Sequence, residues 1–238
     1  MMKAISMFHD KFADTQLQLN VTRHPYSFLG DSKQQQQQQR GGGSGVGGQA
    51  KVLATWHQGL KSYTDNTEEG ALLAEAGLSR LGAAAGIKFR YDVKTDWQPV
   101  DSQRLLLWCG RFGKQEEFMN ALNADHFQEA RSASERPTLL GAVAAAGLDA
   151  AAAANFLDTD ELVDTVWSSY GSTIHDKNIH AIPLFVFSVP SVGIAGGPFR
   201  EPGDQGEPFI VKGSANAETY LEIFEGAREA ILIASSSS

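Results

Sequence analysis

Apolar residues along most of this chain recur every three or four positions, the period of helices that bury one face. In residues 1–13, Ile5, Phe8 and Phe12 share a face, which predicts the end of a short amphipathic helix. Residues 16–21 change to period two. Leu17, Leu19 and Val21 alternate with Gln16, Gln18 and Asn20, the pattern of a half-buried strand, and His24 and Pro25 follow as its exit. Helical spacing returns over residues 50–63, with Val52, Leu53, Trp56 and Leu60 on one side. It continues over residues 68–85, where Leu72, Leu73, Ala76 and Leu81 are the expected core positions and Gly86 stands at the C-terminal end. Asp101 is the expected N-cap of a helix carrying Leu105, Leu106, Trp108, Cys109 and Phe112. The pattern resumes at Glu116 with Phe118, Met119, Leu122 and Phe127. Pro137 opens a further helix ending at Gly147, and residues 149–156 make a short one. Thr159, Asp160 and Glu161 then introduce a longer helix through Val166, Trp167 and Tyr170 to Lys177.

After this helical block the spacing shortens. Leu184, Phe185, Val186 and Phe187 form a continuous apolar run with Pro183 at its head. Proline has no N–H for a ladder, so it fits the first position of a strand and not its interior. A Gly/Pro-rich loop (189–207) leads to a second short strand at 208–211, a turn at Gly213 and a last helix at 217–233. Strand, helices, strand, strand, helix predicts an α/β sheet interrupted by an all-helical subdomain, about residues 50–177 of one domain spanning 1–233. Gln34 to Gln39 and the glycines from Gly41 to Gly48 cannot build a core; residues 32–49 read as a flexible loop expansion and 234–238 as a frayed tail.

Composition narrows the function classes. Apolar content of 42% supports a packed core. A net charge of -8 argues against nucleic-acid and anionic-membrane partners, which need a basic face. No run approaches the ~18 apolar residues of a membrane span. Residues 1–10 have no sustained apolar stretch of the secretory kind. The single cysteine, Cys109, cannot form an internal disulfide and favours a reducing compartment. An intracellular protein, cytoplasmic or organellar, is expected.

Four stretches together resemble the DsbA-like thioredoxin superfamily, in its FrnE-type branch. They are His24 to Leu29, the strand exit; Asp101 to Leu105 continuing through Gly110 to Gln115, the family's alanine-histidine-arginine-leucine helix and its continuation; Ala146 to Asp149 with the short helix after it, then Ile179 to Val186, the proline loop and strand; and Ile210 to Ala215, the last strand and turn. The resemblance implies a thioredoxin-like sheet with a helical insertion and a protein thiol–disulfide oxidoreductase as the family activity. It also implies an opening strand followed by Cys-x-x-Cys, which has no counterpart in residues 1–13, and a histidine where this chain has Gln103. The first strand is therefore expected to be missing, through a truncated start or a degenerate member. Without the dithiol, the expectation is a family member inactive as given. Two alternatives stand beside it: a non-catalytic peptide- or glutathione-binding module, and a relative of the kappa-class glutathione transferases and hydroxychromene-carboxylate isomerases.

The candidate chemistry is short. A cis Ile182–Pro183 bond would present the backbone of Ile182 to an extended peptide or glutathione, with His24 beside the groove. Ile182, Pro183 and His24 are thus the expected substrate-binding residues, with no catalytic residue and no metal ligand. No cofactor is expected, glutathione being the one small molecule compatible with the groove. Partners would be protein or peptide thiols. Cys109 lies mid-helix between Trp108 and Gly110, where a small core residue is expected. His175 and His180 are too poorly spaced for a metal site, and His57 and His126 read as surface residues on helices.

Overall fold

A computed structural model describes residues 1–27, 54–96, 99–194 and 208–236. The Gln/Gly loop, Trp97, Val52, Leu53 and most of the Gly/Pro loop lie outside them. The chain divides into two compact units, Met1–Asn20 with Ser172–Ser238, and Val21–Gly171.

The first unit is built on α1 (Met2–Lys11), β3 (Leu184–Phe187), β4 (Phe209–Lys212) and α9 (Ala217–Ser236). The two strands pair antiparallel, Leu184 opposite Lys212 and Phe187 opposite Phe209. Phe185 and Phe187 project from β3 onto the helices, with Phe185 edge-on to Tyr220 at 5.6 Å and Phe187 against Phe224 at 6.1 Å. Ala4 and Phe8 of α1 complete this core with Val211, Tyr220 and Phe224, so the predicted face of α1 is the buried one. The expected strand at 16–21 is not formed. Its alternation survives in burial as far as Asn20, since Leu17 and Leu19 pack against the same core while Gln18 and Asn20 are exposed, but Val21, expected inward, is exposed too, and no ladder joins the segment among the described residues.

Among its described residues, the regular structure of the second unit is helical apart from β1 (Ala54–Thr55) and β2 (Lys94–Thr95), a two-residue antiparallel pair. Its helices are α2 (Trp56–Tyr63), α3 (Glu68–Ala84), α4 (Val100–Gly110), α5 (Gln115–Gln128), α6 (Arg136–Ala145) and α7 (Ala150–Leu157). The boundary between the units falls inside α8 (Val163–His175). α4 is the centre: Leu105, Leu106, Trp108 and Cys109 pack with Phe118, Leu122, Leu139, Val143 and Phe156. Val100, Val166, Trp167 and Tyr170 form a second cluster. Several expectations change here. The helix expected over 50–63 begins only at Trp56, where Thr55 accepts from the Gln58 amide in a capping box. Asp101 is not the N-cap of α4. That position is Pro99, and Asp101 sits in the first turn, where it pairs with Arg104. Phe112 follows the end of α4 and is exposed, so it leaves the stripe shared by Leu105 and Cys109. His126 is buried, its ring within 2.9 Å of the Trp56 indole nitrogen, and burial lowers its pKa.

His57 joins α2 to α3. Its Nδ1 lies 2.7 Å from Glu75 and its Nε2 2.9 Å from Glu68. The Glu75 hydrogen bond, foremost, raises the His57 pKa against the opposing effect of burial. A raised histidine stabilises the fold fully below its unfolded value, about 6.5. That stabilisation is lost as pH rises through the folded value. Wild type should therefore melt above His57→Gln at pH 5.5, with the gap closing by pH 8.5; an equal gap at both pH values would refute the pairing.

Candidate functional site

The helix–loop–strand passage into Pro183 is fixed by local backbone chemistry. α8 ends as Lys177 donates back to the Ser172 carbonyl and Ile179 to that of Thr173. Asn178 takes the left-handed conformation (φ 53) that closes this turn, which asparagine tolerates better than most residues. The buried Ile179 side chain pins the loop, and His180 Nε2 lies 2.8 Å from Asn178 Oδ1. Residues 180–183 then run exposed up to the strand, Ile182 at 47%. The Ile182–Pro183 peptide bond is cis.

β3 has one edge without a ladder among the described residues. Gly213, at φ 82, donates from its backbone nitrogen to the Pro183 carbonyl at 2.8 Å. In an antiparallel pair, hydrogen-bonded and non-hydrogen-bonded residues alternate. With 183 opposite 213 as a bonded pair, Phe185 and Phe187 turn their N–H and C=O groups toward β4. Leu184 and Val186 turn theirs the other way, on the side that Ile182 leads into. Three successive outward positions thus offer backbone groups for one more strand.

Of the expected site residues, Ile182 and Pro183 stand together at the head of β3. His24 is exposed and belongs to the helical unit. His175 and His180 assemble no metal site; among the described residues no group of three His, Cys, Asp or Glu side chains converges on one.

Cys109 has no exposed surface, and burial pushes its thiol from the ordinary value of 9.0 up to about 12. It sits at the C-terminal end of α4, Val100–Gly110, where the helix dipole disfavours a thiolate. The residue that sequence reasoning undervalued is Arg104, 3% exposed. Its guanidinium donates to the carbonyls of Phe156, Thr159 and Glu161 and to Asp101 Oδ1, closing the C-terminal end of α7 and the turn beyond it. A basic residue one turn after a helix start was the available signal.

No helix among the described residues is long and apolar enough to cross a membrane. A search of curated proteins finds no match. Among solved structures, the chain is similar to a protein from Streptomyces coelicolor described as a probable DsbA oxidoreductase. The two share 20% identity with a TM-score of 0.59, over 75% of this chain and 69% of that one. The family model of the DSBA-like thioredoxin domain matches residues 13–220. With the strand pair, the proline loop and the helical unit in place, the chain belongs to the DSBA-like thioredoxin domain family.

Proposed function

We propose that this chain is a member of the thiol–disulfide oxidoreductase family that does no disulfide exchange with its own thiol and instead binds extended polypeptide along the outer edge of β3. The observation that carries the reading is the outward row of Ile182, Leu184 and Val186 backbone groups beside an exposed loop. Strand addition takes its affinity from such main-chain groups. The sole cysteine of the sequence is buried in the helical unit with its thiol pushed up to about 12, which supports the absence of exchange. Placement in the FrnE-type branch and an intracellular setting belong to the same proposal, on the motif order and the single cysteine.

Fluorescence anisotropy with labelled, carboxamidomethylated insulin B chain tests the binding. Saturable binding is expected. Val186→Pro should weaken it about tenfold or more, because it deletes an outward N–H and leaves the ladder to β4 intact. A B chain N-methylated at alternate residues should fail in the same way on the unaltered protein. Binding indifferent to both changes would overturn the proposal. His24→Ala in the same assay tests the expected contribution of that residue. Competition by glutathione would favour the glutathione-binding alternative over a peptide ligand.

A further inference from the structure

The expected core stripe of residues 68–85 faces outward. Leu72 is 53% exposed and Leu73 71%, and Glu69, Ala76, Arg80, Ala83 and Ala84 are exposed with them. The opposite face carries the buried Ala71 and Gly82 and the half-buried Gly70, Ala74, Glu75 and Ser79. This orientation is locked. A Cβ on Gly70 would come within 2.7 Å of Thr64 Cβ, and one on Gly82 within 2.7 Å of the Phe89 ring and 2.8 Å of the Ile87 carbonyl. Rolling α3 to bury its leucines would drive side chains into those contacts.

We propose that this face of α3 packs antiparallel against α3 of a second copy of the chain. Glu69, Leu73, Ala76, Arg80 and Ala83 recur at four-three spacing, the seam of a two-helix pair. The only two charges on the face are Glu69 and Arg80, opposite in sign and ~16 Å apart along the axis. Neither makes an ion pair with a described residue. They are equidistant from the midpoint between Ala74 and Glu75. A two-fold axis there sets Glu69 of each copy against Arg80 of the other. It also sets Leu73 against Ala76, large against small. The face is therefore complementary to itself in charge and in volume. A lipid surface fits it poorly, since α3 carries three glutamates, Glu68, Glu69 and Glu75, against one arginine. One helix per copy buries less than the ~1,200 Å² of standard interfaces, so the dimer is a weak, concentration-dependent one.

Sedimentation velocity over a concentration series of the full chain tests this. A monomer–dimer equilibrium is expected. Arg80→Glu, which sets like charges together twice, should weaken it about tenfold. The double variant Glu69→Arg, Arg80→Glu should restore it. Both positions are exposed, and circular dichroism checks that the helices persist. A monomer up to millimolar concentration, an Arg80→Glu dimer as tight as wild type, or a double variant that stays dissociated would each overturn the proposal.

Discussion

Arg104→Ala is expected to destabilise the helical unit by ~3–5 kcal/mol, the cost of breaking a buried charge network by removing one partner. The guanidinium is almost wholly buried and lies 4.9 Å from the Phe156 ring as well as on three backbone carbonyls. Deleting it leaves the Thr159 and Glu161 carbonyls without that donor and opens a cavity beside Phe156. The Phe156 carbonyl suffers less, because the Thr159 hydroxyl also donates to it at 2.7 Å. Arg104→Lys should recover only part of the loss, since one ammonium cannot span donors that a planar fork reaches together. Asp101→Asn is the control: its side chain is 60% exposed, and a pair of that kind contributes at most ~1 kcal/mol. Urea denaturation of the four proteins checks the order. An Arg104→Ala midpoint close to that of Asp101→Asn would refute the role given to Arg104.

The second large effect concerns Cys109, which is expected to take no part in disulfide exchange. Exchange proceeds through the thiolate. A rise from 9.0 to about 12 lowers the thiolate fraction at neutral pH roughly a thousandfold. Access lowers the rate again, because Leu105, Leu106, Phe118 and Leu139 belong to the same buried cluster. Exchange also needs a second thiol to resolve the mixed disulfide, and the sequence holds one cysteine.

What could be read from the sequence followed from how local its causes are. Pro183 at the head of a strand and Gly213 at a turn act within a few residues, and each stands where the pattern placed it. Asp149, expected as the first residue of a short helix, instead caps Ala150–Leu157. The alternation at 16–21 matched the burial of Leu17 and Leu19 but not that of Val21, which is exposed, and it missed the hydrogen bonding, because a ladder depends on a partner far along the chain. His126 read as a surface residue because Asn123, Asp125 and Gln128 lie near it in sequence; its neighbour in space is Trp56, 70 residues away. The direction of α3 was hidden for the same reason. Periodicity finds an apolar face but not what covers it, and the glycines that fix the opposite face inward are legible only against Thr64 and Phe89. At the candidate site, the loop and strand were legible, whereas the free edge of β3 depended on the register with β4.

The proposed function separates the thioredoxin-like body from thiol chemistry within this chain. Insulin reduction by dithiothreitol, followed by turbidity, measures that most directly. Wild type and Cys109→Ala are both expected at the uncatalysed rate. Reduction by wild type clearly above that rate, and lost in Cys109→Ala, would contradict it.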